Sequence, residues 1–592
     1  MRLRELHIKN FRKIENLRVT FPSGLAVIVG ENNSGKTAII DALRLMLFSS
    51  RDFDALRLND EDFRTGTDHA PIEISCTFCD ATAEDEVHFQ ECLIDIGEGK
   101  FDIRLNARVQ FNKTTRRTSV KMWGGETEGG NLSSTLYDHL TAVYLQPLRD
   151  PESGLKPGRN SQVAKLLDRV TVETERTEFE TIAKNANEQI RELAPMTSAR
   201  NEINKQMLSI AGKELTQQTE LIFTDPTFHR IIATLQPEID GLPFSINGLG
   251  YNNLIFTSAT LGTLRRSPQF SFRSILVEEP EAHLHPQLQV LLLNYFAAVV
   301  DEGKGNEVQV IASSHSPILV SQAPIDSIIC VQENNDEVRA ISVCTIPMDL
   351  EMKKKLQRFL DATRAELFFA RRILMVEGIA EALLLPVLAR IAGGDLKKSA
   401  VTVVNADGIN FNCFLPLFGS GRITCPVAIL TDGDADRIGG ACSATAANLK
   451  AIETTIENLR VEQSEITFEH ELARSPLMLP LMLDAFEALY PSVAAKLRST
   501  ISALTNEDDM ADAFFSQFKI SAKSKGVFAQ ELAALLDSAD LKEAAVPQYI
   551  RSALKFLSVI GADDDSKQSG QSATTDPATV TNGPATGGNF CQ

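Results

Sequence analysis

The octet Gly30-Glu31-Asn32-Asn33-Ser34-Gly35-Lys36-Thr37 lies between an unbroken apolar run, Leu25 to Val29, and a helical pattern that begins at Ala38. Three local constraints meet there. The apolar run reads as a buried strand, Ile39, Ile40, Leu43 and Met46 recur at helical spacing, and the glycines between them let backbone N–H groups close on phosphate oxygens. A strand that ends in such a loop and feeds a helix belongs to an α/β sheet. Lys36 is placed to reach β- and γ-phosphates and the Thr37 hydroxyl to complete a Mg²⁺ shell, with Gly30, Asn32, Asn33 and Gly35 forming the cradle around them. The stretch predicts a nucleoside triphosphate site.

At 592 residues the chain exceeds what one core supports, and roughly 100 to 200 residues per domain points to three or four units, some inserted within others. No apolar run approaches the roughly twenty residues that a bilayer span needs. Met1 to Leu6 leads into a strand instead of a secretory leader, so a cytoplasmic protein without membrane contact is expected. The nine cysteines are scattered, and the close pair Cys76 and Cys79 falls on an alternating strand with no second Cys or His pair at metal spacing. They read as small buried hydrophobes. A formal charge of −19 argues against a uniformly basic coat for nucleic acid. Local basic clusters, Lys113-Arg116-Arg117-Lys121 and Lys353-Lys354-Lys355, read equally well as tracks for a polyanion or as solvated surface.

Taken in order, residues 1 to 24 form two strands, with Leu6, Ile8, Leu17, Val19 and Phe21 at period two about the turn Asn10-Phe11-Arg12-Lys13. Alternating segments at Ile72 to Phe78, Val87 to Ile96 and Phe101 to Val109 predict an antiparallel β lobe beside the nucleotide. A strand from Ala142 to Leu145 ends at Gln146-Pro147-Leu148-Arg149-Asp150, which offers Gln146 to Mg²⁺ or its water. From 151 to 240 the chain turns charged with helical spacing, which predicts a helical arm whose stripes pack against one another and against a second protomer, with a lid within one protomer as the alternative. The turn Ser245 to Gly250 then opens a helix and places Gly248 at another anion-binding N-terminus. The strand Ser274 to Val277 delivers Glu278 and Glu279, one to hold Mg²⁺ through water and one to orient or deprotonate an attacking water. Pro280 to Pro286 begins a helix, and Val308 to Ile311 delivers His315 to the γ-phosphate.

This order of parts resembles the ABC-type ATPase heads of the SMC and RecF kind, over most of residues 1 to 345. The resemblance makes 30–37 a Walker A loop, Gln146 a Q-loop, 245–250 a signature turn, 274–279 a Walker B strand, Leu284-His285 a D-loop and His315 the switch histidine. Glu278 stands where the family has Asp, Asn-Gly-Leu-Gly replaces Ser-Gly-Gly, and His285 replaces an Asp. In such heads the signature of one protomer completes the site of the other, so the resemblance implies a homodimer or higher homo-oligomer.

A second constellation follows. Ile373 to Val376 reads as a buried strand ending in Glu377-Gly378, with Glu381 one helical turn on. A helix through Leu383, Leu384, Leu388 and Ile391, a strand Val401 to Val404, a helix from Ile409 and a strand Val427 to Leu430 continue the alternation of a parallel sheet. The last ends in Thr431-Asp432-Gly433-Asp434, where Asp432 and Asp434 point the same way if the strand continues and Gly433 lets a metal or phosphate come close. Acids at the carboxyl ends of parallel strands stand where an open α/β sheet takes its ligand, and oxygen donors select Mg²⁺ or Mn²⁺ over zinc.

Glu377-Gly378 with Asp432 and Asp434 resembles the Rossmann-like Toprim domain. An ABC head followed by Toprim resembles the OLD-family nucleases, among them the Gabija-type antiphage nucleases, over nearly the whole chain to about 560. Thr467-Phe468-Glu469 and Lys525-Gly526-Val527-Phe528-Ala529 extend the likeness. It implies Glu377, Glu381, Asp432, Asp434 and Glu469 as metal ligands and Lys525 as a cationic helper. The expected organisation is 1–150 and 241–348 for the two parts of the ATPase, 151–240 for a dimerisation insert, 349–560 for Toprim with helical C-terminal elements, and 561–592, poor in apolar residues, for a disordered tail.

The function expected is a nucleotide-regulated, divalent-metal-dependent DNA endonuclease using ATP and Mg²⁺, in antiphage defence or DNA processing; a helicase or other defence-system partner is compatible with the family. The alternative is a RecF-like repair or structural ATPase whose Toprim domain only binds DNA and metal. A topoisomerase needs an attacking tyrosine on its own DNA-binding domain, and only Tyr490 and Tyr549 follow the Toprim core. A primase would carry a zinc ribbon, for which there is no Cys/His cluster.

Overall fold

The computed structural model describes residues 1–48, 58–129, 132–147, 154–158, 161–239, 241–265, 270–301, 308–334, 337–408, 410–521 and 524–561. The expected tail and the residues Leu148 to Asp150 lie outside them, apart from Gly561.

Strands β1 (Arg2–Phe11) and β2 (Ile14–Thr20) pair antiparallel about the Arg12 turn. After β3 (Leu25–Gly30) and the helix Lys36–Leu47, the lobe forms from β4 (Ile72–Cys79), β5 (Leu93–Gly97), β6 (Lys100–Asn112) and β7 (Arg117–Gly124). Its order is β2-β1-β4-β6-β5, with β7 also on β6, and its pairs are antiparallel throughout. One expected strand is corrected: Val87 lies in a helix, Ala83–His88. Thr82 accepts the Asp85 N–H while the Asp85 carboxylate accepts the Thr82 N–H, a capping box that starts a helix before the alternation can extend.

Five parallel strands make the nucleotide sheet. They are β3, β8 (Leu140–Leu145), β11 (Phe272–Glu278), β12 (Gln309–Ser314) and β13 (Ile328–Asn334), and β14 (Glu337–Ser342) closes one edge antiparallel. The order β14-β13-β3-β12-β11-β8 buries β3, β11 and β12 at every residue, which is why they read as continuous apolar runs. A two-residue hairpin, β9 (Glu238–Ile239) with β10 (Leu242–Pro243), precedes the helix Leu249–Arg265. The stretch 280–285 is a turn, and its helix starts only at Pro286.

The insert holds the helices Gln162–Val170, Glu173–Arg191 and Ala194–Leu215. The second and third bury no residue within this chain.

The third sheet is parallel: β15 (Arg372–Val376), β16 (Val401–Asn405), β17 (Val427–Thr431) and β18 (Leu459–Gln463), in the order β16-β15-β17-β18. The helix Ile379–Ile391 forms as expected and carries Pro386 within it. The helix expected from Ile409 does not form: Ile409 itself lies outside the described residues, and the chain takes short 3₁₀ turns at Asn410–Cys413 and Leu415–Leu417, the second with Pro416. A single apolar cluster joins the nucleotide sheet to this one, containing Val27 and Cys330 on one side, Phe368 between, and Ile373 and Val427 on the other.

Candidate functional site

Register brings the first site together. Ser314 of β12 pairs with Val29 and Glu278 of β11 with Ser313, so His315, Glu278 and the phosphate loop gather at one end of the sheet. Leu145 pairs with Val277, which sets the exposed Gln146 beside Glu278 at the same end. Gly30 takes φ 148° and a Cβ there would stand 2.2 Å from the Val331 carbonyl oxygen, so only glycine lets the loop lie this close to β13. Lys36 Nζ donates to the Gly30 carbonyl at 2.8 Å and to the Glu31 carbonyl at 2.5 Å. Burial pulls the Lys36 ammonium down to about 8, with Glu279 and Glu31 opposing the shift.

Glu279 holds φ 45°, a left-handed conformation that a glutamate adopts at a cost, and its N–H is fixed by the Ser313 carbonyl at 2.9 Å. Its carboxylate lies 3.9 Å from His315 Nε2. Glu278 is buried, its Oε1 has no hydrogen-bond partner, and burial with Asp41 nearby pushes the carboxyl up to about 7. An unpartnered buried carboxylate oxygen at the end of β11, beside the phosphate loop, fits a hydrated cation.

Several further residues brace this site. Glu281 accepts from the Ser314 hydroxyl at 2.8 Å and the His315 N–H at 2.7 Å, anchoring His315. Arg12 reaches Asp41 at 2.8 Å and Asp62 at 2.9 Å, while Arg44 binds Asp41 at 2.6 Å and lies over the Tyr144 ring. An acidic residue on the inner face of the first helix was the available clue. Gly248 stands apart from these contacts: it is exposed at the start of its helix, and its carbonyl accepts from Tyr251 and Asn252. Gly250 packs onto the turn before Pro286, where a Cβ would meet the His283 carbonyl oxygen at 2.7 Å.

The second site forms between β15 and β17. The chain steps from β15 outward to β16 on one side and from β17 outward to β18 on the other, so the crevice between their carboxyl ends is the topological switch point. Glu377 accepts from the Asp432 N–H at 2.9 Å and from the Thr431 hydroxyl. Asp432 Oδ1 accepts from the Phe468 N–H at 2.7 Å and the Ser464 hydroxyl at 3.3 Å. Glu469 is buried and pairs with Lys525 at 3.0 Å, and Glu381 is buried on the helix after β15. Burial, then Glu377, Glu469 and Glu381, push the Asp432 carboxyl up to about 8. Glu381 is raised by burial and by Glu469. Lys525 is held above its usual range: burial works against its charge, but Glu469, Asp432 and Glu381 outweigh it.

Two expectations change here. The strand stops at Thr431 and Asp434 turns at φ 50°, exposed, with its N–H on the Ile466 carbonyl at 2.9 Å, so Asp432 and Asp434 do not continue one strand face. Gly433 makes room for protein and not for a ligand: a Cβ would stand 2.2 Å from the Ser464 carbonyl oxygen. Among the described residues no three His, Cys, Asp or Glu side chains already stand as a metal cage. The donor set nevertheless fits a hard cation, because the carboxyl groups of Glu377, Glu381, Asp432 and Glu469 face one ammonium, and burial with neighbouring carboxylates raises Asp432 and Glu381. Thr431 and Ser464, which orient Glu377 and Asp432, were not legible in sequence.

An ATPase head and a Toprim unit are thus joined in one chain. The chain belongs to the AAA ATPase domain family, whose model matches residues 1–122 and 131–320, and residues 368–434 match the Toprim domain of the overcoming lysogenization defect protein-like family. The OLD nuclease of Thermus scotoductus is 26% identical over 408 residues, 64% of this chain and 72% of its own. The endonuclease GajA of Bacillus cereus strain HuB5-5 is 24% identical over 93% of this chain and 95% of its own. The C-terminal region of the Xanthomonas campestris OLD protein matches 32% of this chain and 94% of that region at 26% identity, with a TM-score of 0.25. The protein is an enzyme with an ATPase domain and a Toprim nuclease domain, homologous to OLD and GajA nucleases.

Proposed function

We propose that this chain is a nucleotide-regulated, divalent-metal-dependent DNA endonuclease that acts as a homo-oligomer in the cytoplasm, in antiphage defence or DNA processing. The observation that carries the reading is the acidic cluster at the β15/β17 switch point, with Lys525 set against it. Glu377 and Asp432, with Glu381 and Glu469, would hold Mg²⁺ or Mn²⁺, and Asp434 would join from the adjoining turn. When bound, such an ion would supply Lewis acidity toward a phosphodiester and lower the pKa of a water. Thr431 and the Asp432 N–H fix the Glu377 oxygen, the Phe468 N–H and Ser464 fix Asp432, and Lys525 offers positive charge to the oxyanion that develops at phosphorus.

In the head, Lys36 and Thr37 bind the triphosphate and its metal, Gly30, Asn32, Asn33 and Gly35 line the loop, Glu278 and Gln146 hold the hydrated cation, and Glu279 orients the attacking water. His315 contacts the γ-phosphate. Gly248 serves the site of a second protomer, a role supported by its exposure at the start of its helix.

Plasmid cleavage in Mg²⁺ or Mn²⁺ tests the reading. Nicking or linearisation is expected from wild type and is expected to vanish in Glu377→Ala and Asp434→Ala proteins that retain ATP hydrolysis. Intact plasmid under both metals, or wild-type cleavage by Glu377→Ala, overturns it.

A further inference from the structure

The ends of β15 and β17 opposite the acidic cluster abut the phosphate loop. Arg371, the residue before β15, donates through Nε to both carboxylate oxygens of Glu31, at 2.8 and 2.7 Å. Glu31 is the second residue of the phosphate loop, and its carbonyl accepts from Lys36. Beside it, Gln332 Oε1 accepts the Thr424 N–H at 3.2 Å. Gln332 follows Val331, which pairs with Gly30, and Thr424 precedes β17. Glu31, Gln332, Arg371 and Thr424 line one cavity of about 500 Å³.

Both strands then run to the nuclease acids. β15 leads to Glu377 and β17 to Asp432, and the two are in register from Ile373 opposite Val427 to Met375 opposite Ile429. Each strand spans roughly 16 Å at about 3.3 Å per residue. Glu377 and Asp432 are themselves bonded at the far end. The shared apolar cluster, with Cys330 donating to the Phe368 carbonyl at 3.4 Å, packs this connection without a flexible linker. The ion pair is open to solvent, with the Arg371 side chain 65% exposed and the Glu31 side chain 33%, so its importance lies in what it joins and not in stability.

We infer that Arg371 is a positioning residue of the nucleotide site, supplied by the nuclease strand β15, and that its contact with Glu31, together with Thr424 on Gln332, carries the state of the phosphate loop to Glu377 and Asp432. The inference rests on the nucleotide-regulated reading and names its route. A triphosphate that draws the Lys36 ammonium onto its own oxygens removes the donor from the Glu31 carbonyl. The Glu31 backbone then shifts with its carboxylate still tied to Arg371, and the amino end of β15 moves with it. The two states differ by defined contacts, which is what coupling between sites requires.

The test measures plasmid nicking in Mg²⁺ with and without adenylyl-imidodiphosphate, and the KM and kcat for ATP, in wild type, Arg371→Ala, Arg371→Lys, Glu31→Gln and the Arg371→Ala/Glu31→Gln double variant. Arg371→Ala should melt and nick without nucleotide as wild type does. Its ratio of nicking rates with and without analogue should move toward one by up to about fivefold, the span of an exposed ion pair, and its KM should rise with kcat unchanged. Arg371→Lys should recover part of both changes. The double variant should be no worse than Arg371→Ala, since both remove one interaction. A wild-type ratio and KM in Arg371→Ala, or additive losses in the double variant, overturn the inference. A ratio of one in wild type overturns the nucleotide-regulated reading first, and the coupling with it.

Discussion

Lys36 bears its charge against its surroundings, and this has a measurable consequence at the scale of one residue. Its folded value, about 8, lies below the ordinary 10.5, so the charged form is penalised below pH 8 and the penalty fades as pH rises from 8 to 10.5. Triphosphate oxygens favour the ammonium. Binding of ATP above pH 8 should therefore take up a proton through Lys36, and binding at pH 7 should not; the dependence of calorimetric enthalpy on buffer ionisation reads this directly. Lys36→Ala should lose tight ATP binding altogether, whereas Glu279→Gln should keep ATP bound and hydrolyse it slowly. Gly433 makes the complementary case. A methyl group there meets the Ser464 carbonyl oxygen at 2.2 Å, so Gly433→Ala should cost about 1–3 kcal/mol, the range of overpacked sites. The same shift pulls Asp432 from the Phe468 N–H, so nicking should fall while ATP hydrolysis persists, a split that thermal melting and the two assays together expose.

Among the elements, the insert shows how local and tertiary information divide. Helical spacing in 173–215 is legible because polar and apolar residues alternate at that period, and both long helices form. What covers them is not written in any one segment. Ile182 is 63% and Ile210 82% exposed, and neither helix buries a residue in its own chain. Ile182→Glu and Ile210→Glu should then leave the helical content of the folded chain as in wild type, yet shift the mass in solution from oligomer to monomer. A monomeric wild type at micromolar concentration, with and without ATP, removes the arm's proposed role and the composite ATP site. The failed strand at Val87 has the opposite origin. Alternation there was real, but the Thr82–Asp85 capping box committed the backbone to a helical turn first.

Across the whole molecule, the mixed nucleotide sheet and the parallel β15–β18 sheet share one apolar cluster, and each presents acidic residues at the carboxyl ends of its parallel strands. If the β15/β17 end holds the cleavage metal, EDTA should abolish nicking. Asp432→Ala should cost far more rate than Lys525→Ala, because the first removes a ligand and the second one charge-assisted contact, about 10²–10³-fold by analogy with a single oxyanion donor. Equal losses in the two variants, or cleavage that survives EDTA, would contradict this ranking. The phosphate loop, the acids after the buried strands and the alternation of strand and helix were determined by the sequence alone, since each depends on residues adjacent in the chain. Only the tertiary structure decided that Glu281 anchors His315, that Thr431 and Ser464 orient Glu377 and Asp432, that Asp434 leaves the strand face, and that Arg371 meets Glu31. Those contacts join residues brought together by strand order and register, across separations as long as 340 residues, and no local pattern encodes them.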